Sequence, residues 1–121
     1  MTEKTLQDMK QDIEEFCRER NWDQFHNAKE ISIGISTEAA ELLEHFRFKS
    51  EEQIKQKLNE EDSRQEIKEE LADIQYFLLR FSQMYNIDLV EAMEDKMKKN
   101  RDKYPVEKAK DSNKKYDEFD N

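Results

Sequence analysis

The sequence predicts an all-α protein, an antiparallel bundle of four to five helices, and three observations carry this prediction. Charged residues make up 42% of the 121 residues, and hydrophobic residues only 35%. The chain has a single glycine and a single proline, whereas turn-rich β folds need many more of both. Apolar residues recur at helical spacing in several separate segments. These features indicate amphipathic helices with short connections, which pack as a bundle.

The first helix is predicted from Thr5 to about Arg20, and a structured loop follows it. Thr5 or Thr2 would cap this helix, and its apolar stripe consists of Leu6, Met9, Ile13, Phe16 and Cys17. The loop places polar turn formers around Trp22, Phe25 and His26. Taken by itself, this pattern favours the two aromatic residues as covers of the core and the histidine as a surface residue.

The second helix is predicted from Asn27 or Ala28 to Phe46. Its buried stripe would consist of Ile31, Ile35, Ala39, Leu42, Leu43 and Phe46. Gly34 inside this helix costs about 1 kcal/mol relative to alanine, which indicates that another helix packs closely there. His45, near the helix end, has two readings: a metal ligand or, more commonly, an exposed histidine.

Three capping boxes predict the remaining helices, each beginning just after the first residue of its box. These boxes are Ser50 with Gln53, Ser63 with Glu66, and Asp88 with Glu91. The helix after the first box is short and polar. The helix after the second would run to about Tyr85, with an apolar arc so wide that it needs burial in a bundle centre or at an oligomer interface. The last helix would bury Leu89, Ala92, Met93 and Met97.

Tyr104-Pro105 ends the last predicted helix, because the residue before a proline is pushed out of helical geometry. We therefore expect a helical domain over residues 1–105 and a charged C-terminal tail over residues 106–121. Composition alone predicts that this tail is poorly ordered.

Charge and hydropathy exclude several classes of function. The formal net charge of −9 disfavours sequence-independent binding to nucleic acid phosphates. The sequence has no long apolar run and no secretory h-region, so we expect no membrane partner. The single cysteine, Cys17, fits a reducing compartment, and the expected localisation is cytoplasmic.

Two pairs of acids are the candidate catalytic and metal-binding residues. Glu38 and Glu41 are three residues apart on the second predicted helix, as Glu70 and Asp73 are on the fourth, so each pair lies on one helix face. Both pairs run along or beside an apolar face; Glu38, for example, continues the column of Ile31, Ile35 and Leu42. Ionised carboxylates there need a shifted pKa, a basic partner or a metal ion.

Oxygen ligands select Mg²⁺, with Mn²⁺ as a second choice, over zinc. Mg²⁺ typically binds through a few carboxylates together with substrate phosphates, so the expected substrate class is a phosphate ester or anhydride. A di-iron bundle is rejected, because neither His26 nor His45 lies three residues after a glutamate. The competing interpretation is that the acids form a solvated, ion-paired surface.

The chain resembles the MazG-like all-α nucleotide pyrophosphohydrolases, most of all their compact dCTP-pyrophosphatase-type branch. The resemblance covers nearly the whole chain. It rests on Glu38-x-x-Glu41, on Glu70-x-x-Asp73, on Arg20-Asn21-Trp22-Asp23-Gln24-Phe25-His26 before them and on Lys103-Tyr104-Pro105-Val106 after them.

The resemblance implies hydrolysis of a nucleoside triphosphate to the monophosphate and pyrophosphate, with the four acids as Mg²⁺ ligands. It implies contacts to the base and sugar from Trp22, Phe25 and His26. It also implies phosphate contacts from Lys96, Asn100, Lys103 and Tyr104, and an ordered tail. Phe77 could stack on a base, but without the hydroxyl usual in the family it leaves the preferred base open.

The resemblance further implies a homodimer or homotetramer. Two functions remain open from the sequence. The first is a magnesium-dependent pyrophosphohydrolase that cleans or balances the nucleotide pool. The second is a non-catalytic helical protein that binds nucleotides or serves as an assembly module.

Overall fold

The computed structural model describes residues 3–119, and within this range the chain forms helices and no strand. The α-helices are α1 (Leu6–Glu19), α2 (Ala28–Glu44), α3 (Glu51–Asn59), α4 (Glu61–Met84), α5 (Leu89–Lys103) and α6 (Val106–Ala109). Short 3₁₀ turns form at Asp23–Phe25 and Tyr116–Glu118. The all-α prediction is confirmed. None of the helices in residues 3–119 combines the length and the apolar character needed to cross a bilayer.

The chain divides into two compact units between Asn86 and Ile87. The first unit contains α1 to α4, and the second contains α5, α6 and the C-terminal segment. Both predicted acid pairs lie in the first unit, on α2 and α4.

Side-chain caps begin most of the helices, as the sequence predicts. Thr5 caps α1 in a capping box with Asp8, and the alternative cap, Thr2, lies outside the described residues. Ser50 caps α3 in its predicted box, and the side chain of Asp88 accepts from two backbone N–H groups of α5. Each cap satisfies N–H groups that the first helical turn leaves without a partner.

The box predicted at Ser63 is wrong. Helix α4 begins at Glu61, and the backbone of Glu60 serves as the C-cap of α3 and the N-cap of α4. Ser63 therefore lies inside α4, and its hydroxyl donates back to the Lys57 carbonyl at the end of α3. Because only Glu60 separates α3 from α4, α4 begins before Ser63 and Ser63 cannot be its N-cap.

Helix α4 is the centre of the first unit, because α1, α2 and α3 all pack against it. The most extensive packing is between α2 and α4. A Cβ atom built on Gly34 would lie only 2.6 to 2.8 Å from three ring carbons of Phe77, so the predicted close packing at this glycine is confirmed. Because Gly34 faces Phe77 while Glu41 faces Glu70, the two helices run antiparallel.

The core of the first unit is small, and part of the predicted apolar stripe is exposed. Its buried apolar residues are Cys17, Ile31, Ile67 and Leu79. Leu43 was predicted to be buried but is 59% exposed, and Leu71 and Leu78 of α4 are 53% and 44% exposed. The apolar arc of α4 is therefore buried where it faces the other helices and exposed to solvent elsewhere.

In the second unit, α5 exposes Ala92, Met93 and Met97, which its periodicity predicts to be buried, while Leu89 is half-buried. Met93 is 63% exposed and Met97 is 39% exposed, so this prediction is wrong for the single chain. The segment after Pro105 has more structure than its composition predicts. Besides α6, it contains the second 3₁₀ turn, where Tyr116 and Phe119 pack edge-on against Tyr104, with ring centroids 6.1 and 5.8 Å apart.

We predict that Gly34→Ala destabilises the protein by about 1–3 kcal/mol, because the added methyl group overlaps the Phe77 ring. This cost would exceed the gain in helix propensity, which is about 1 kcal/mol. Urea unfolding followed by circular dichroism measures the difference. Ser36→Ala, at an exposed position of the same helix, is the matched control and should change stability little. A Gly34→Ala protein as stable as wild type would contradict the close contact.

Candidate functional site

Three of the four predicted acids converge where α2 passes α4. Glu38, Glu41 and Glu70 each offer one carboxylate oxygen, and these three atoms lie within 4.8 Å of one another. The fourth acid, Asp73, lies outside this group but one turn further along α4, and its charge acts on Glu38. The i, i+3 spacing on each helix and the antiparallel packing at Gly34 together produce this arrangement.

The acid cluster is strained electrostatically. One oxygen of Glu38 and one of Glu70 are buried without a hydrogen-bond partner. Burial, followed by the neighbouring carboxyl group of Glu41 and the charge of Asp73, raises the pKa of Glu38 to about 7. Burial and Glu41 also raise the pKa of Glu70, while the charge of His45 acts in the opposite direction. Carboxylates in such surroundings are stabilised by a cation.

The donor set fits a hard divalent cation. Three carboxylates within reach of one point are the ligands that Mg²⁺ or Mn²⁺ prefers, and zinc sites usually include His or Cys. The two buried oxygens without partners are the kind of atoms that an ion satisfies. His45 is half-buried, and it is not part of the ligand group found among the described residues.

A cavity of about 280 Å³ adjoins the acid cluster and shares residues with it. Its lining residues are Phe16, Trp22, Glu38, Asp73, Tyr76 and Phe77. Glu38 thus belongs both to the cavity and to the three-acid group. Cavities that bind small molecules are mostly apolar, with a few polar groups that orient the ligand. A flat apolar ring bound here would lie beside the carboxylates.

The aromatic wall of the cavity is built from three elements. The ring of Phe16, on α1, packs edge-on against Trp22 at 5.4 Å and against Tyr76 at 6.3 Å. Tyr76 in turn packs against Phe77 at 5.0 Å. The Tyr76 hydroxyl lies 3.3 Å from the thiol of buried Cys17, which fixes the orientation of that ring. The wall is therefore a continuous set of edge-to-face contacts.

The loop between α1 and α2 contributes one of its three predicted binding residues to the cavity. Trp22 lines the cavity and is 39% exposed. Phe25 is 63% exposed and is not among the lining residues. His26 is half-buried rather than on the surface, because its Nδ1 accepts a hydrogen bond from Arg80 of α4 at 2.9 Å.

The four residues expected near the phosphates belong to the second unit. Lys96, Lys103 and Tyr104 are exposed, and Asn100 is half-buried. Lys103 lies over the ring of Tyr116, with its Nζ 4.8 Å from the ring centroid. Their role in phosphate binding stays a prediction from the resemblance.

Sequence reasoning did not assign Phe16, Tyr76 or Arg80 to the site. Phe16 fits the apolar stripe of α1, so periodicity gave no reason to separate it from the core. Tyr76 lies three residues after Asp73 and directly precedes Phe77. This position next to two predicted site residues is the signal that could have assigned it to the site. Arg80 is an arginine within the most apolar part of α4, which is an unusual place for a charge and the signal that could have revealed it.

Comparison with known proteins identifies the family of the chain. The MazG-like family model matches residues 33–119, a range that includes all four acids. The dCTP pyrophosphatase 1 of Rattus norvegicus is 33% identical over 114 residues, which are 94% of this chain and 67% of the relative. The dCTP pyrophosphatase 1 of Homo sapiens is 33% identical over 117 residues, covering 97% of this chain and 69% of the relative.

A solved structure extends the similarity to the fold. The crystal structure of a pyrophosphatase from Archaeoglobus fulgidus has a TM-score of 0.78 and 33% identity to this chain. The match covers 87% of this chain and 96% of the other. With the family model matched over most of the sequence, the chain belongs to the MazG-like family and groups with its nucleotide pyrophosphohydrolases.

Proposed function

We propose that this protein is a magnesium-dependent pyrophosphohydrolase that converts a nucleoside triphosphate, in the first place dCTP or another deoxynucleotide, to the monophosphate and pyrophosphate. One observation carries the proposal: Glu38 belongs both to a cluster of acids suited to a divalent cation and to an aromatic cavity. A nucleotide has the two matching parts, a flat base and a polyanionic tail. The names of the two dCTP pyrophosphatases support the choice of substrate.

Glu38, Glu41 and Glu70 would hold the cation, with Asp73 as a fourth ligand or as the acceptor for a bridging water. Mn²⁺ would fit the same oxygen ligands. When bound, the cation supplies charge neutralisation of the triphosphate and Lewis acidity at phosphorus. The acids of the chain contribute a fixed arrangement, because α2 and α4 hold them through the contact between Gly34 and Phe77.

The aromatic wall would bind the base by stacking and by edge contacts. Trp22 and Phe16 offer one part of this surface, and Tyr76 and Phe77 the other. Stacking tolerates any base, so selection needs hydrogen bonds from polar groups around the wall. The base preference would therefore depend on these polar groups.

Glu38 and Asp73 are the acids that line the cavity itself. Asp73, which lies outside the three-acid group, would accept the proton of an attacking water, while Glu38, Glu41 and Glu70 would hold the cation. Proton acceptance of this kind typically contributes about 10²–10⁴-fold to a rate. Most of the remaining catalysis would come from positioning and from electrostatic stabilisation.

We further propose a role in cleaning or balancing the nucleotide pool of the cytoplasm, and assembly as a homodimer or homotetramer. The exposed apolar residues Leu43, Leu71 and Leu78 support an assembly that covers them.

With Mg²⁺ and a panel of deoxynucleoside and ribonucleoside triphosphates, we expect the wild-type protein to release pyrophosphate and monophosphate. Glu41→Gln and Asp73→Asn should each lower kcat by about 100-fold or more, since each removes a charge from the site. Glu15→Gln, which removes an exposed acid of α1, is the matched control and should keep wild-type activity. Release of orthophosphate, or no turnover with either Mg²⁺ or Mn²⁺, would contradict the proposal.

Glu38→Gln should raise the melting temperature of the metal-free protein, because it removes a charge from a cluster of mutually repelling acids. Saturating Mg²⁺ should stabilise the wild type by about 2.7 kcal/mol at 100 times the dissociation constant. The Glu38→Gln protein should lose most of this Mg²⁺ effect, and Glu15→Gln should retain it. Thermal unfolding with and without Mg²⁺ makes the comparison. Equal stabilisation of all three proteins would place the cation elsewhere.

A further inference from the structure

Arg80 is a buried charge beside the cavity, and the proposed reaction does not use it. It lies on α4, three residues after Phe77, and its side chain is only 4% exposed. All three guanidinium nitrogens donate hydrogen bonds. Nε donates to Nδ1 of His26 at 2.9 Å, Nη1 to the side chain of Gln83 at 2.8 Å, and Nη2 to the carboxylate of Asp23. A buried guanidinium that meets several acceptors in a fixed geometry is well suited to fix a neighbouring segment.

Two of these three acceptors belong to the loop that carries Trp22. Asp23 and His26 are the first residue of the 3₁₀ turn and the residue that ends it. Trp22 immediately precedes the turn, and its carbonyl accepts from the N–H of Phe25 within it. The Trp22 ring also lies 6.5 Å from the His26 ring. Arg80 therefore joins both ends of this short segment to the helix that carries Tyr76 and Phe77.

We infer that Arg80 is a positioning residue: by binding Asp23 and His26 it holds Trp22 in place as one wall of the nucleotide cavity. The inference deepens the proposed function where it concerns nucleotide binding, but the position of Trp22 can be measured without any nucleotide. The contact requires a neutral His26. Its Nδ1 accepts from Arg80, so the ring proton sits on Nε2.

Lowering the pH should break the hydrogen bond between Arg80 and His26. Burial, and then the charge of Arg80, lower the pKa of His26 below its usual 6.5, while Asp23 acts in the opposite direction. Because the folded protein disfavours the protonated ring, the contact is fully present above pH 6.5. It is lost as the pH falls below 6.5 through the lowered pKa of the folded state.

Trp22 is the only tryptophan of the chain, so its emission reports directly on the loop. In wild type we expect a reversible change in emission as the pH falls below 6.5, with helicity retained. In His26→Gln this step should be absent, while emission at pH 7.5 stays close to wild type, because the glutamine oxygen can still accept from Arg80. In Arg80→Met the emission at pH 7.5 should already resemble that of acidified wild type. A step that persists in His26→Gln would overturn the role of His26.

Steady-state kinetics at pH 7.5 distinguish a positioning role of Arg80 from a general loss of folded enzyme. Arg80→Met should raise KM for the best nucleotide roughly tenfold with kcat changed about twofold or less, since the acid cluster is untouched. Arg80→Lys should behave like Arg80→Met, because a lysine lacks the planar fork. Gln75→Met is the matched control: Gln75 is an exposed residue of α4 that donates to the sulfur of Met9 on α1 and is not a partner of Arg80, so this variant should keep KM.

Asp23→Ala provides a second test that leaves α4 intact. Asp23 is 60% exposed, so this variant should fold even if Arg80→Met, which removes a buried group, does not. It should shift both the Trp22 emission and KM in the same direction as Arg80→Met. Wild-type emission and wild-type KM in Asp23→Ala would overturn the inference, as would an equal rise in KM in Gln75→Met. If wild type hydrolyses no nucleotide, the proposed function fails, and the emission data still decide the position of Trp22.

Discussion

The close contact of α2 with α4 at Gly34 and Phe77 is the constraint on which the rest of the first unit depends. Gly34 lies one helical turn before Glu38, and Phe77 lies one turn after Asp73. The missing side chain at Gly34 lets the two helix axes approach, and the Phe77 ring fills the gap. The same approach brings the acids of both helices within reach of one ion and leaves Phe77 exposed to the cavity. One packing contact thus sets both halves of the site.

Repulsion within the acid cluster is expected to lower the stability of the metal-free chain, and the first unit has few buried apolar residues to compensate. The ion pairs of the first unit include Arg18 with Glu14, Arg47 with Glu44, and Arg80 with Asp23, which are other acids than those of the cluster. Only four apolar residues of the described chain are buried. A purely structural bundle has no need of such repulsion, which supports the proposal that these acids bind a cation.

Features that depend on neighbours in sequence could be predicted, and features that depend on a distant partner could not. The caps at Thr5, Ser50 and Asp88 and the pairing of acids at i, i+3 are local, so they follow from the residues alone. Ser63 has the same local pattern, but the extended backbone of Glu60 already joins the two helices. Two of the three acceptors of buried Arg80 lie more than 50 positions away, so helical periodicity does not reveal which residues Arg80 binds.

The acid cluster and the aromatic wall are held in place by different kinds of contact. The acids lie on two long helices in direct contact, whereas the tryptophan of the wall lies on a loop held by hydrogen bonds. Tyr76 does not replace the hydroxyl missing at Phe77, since its own hydroxyl is engaged with Cys17 at 3.3 Å. The aromatic wall therefore offers a base an apolar surface for stacking rather than hydrogen-bonding groups. Discrimination among bases has to come from polar groups at its edge, and the loop is the element whose sequence can change without disturbing the acids.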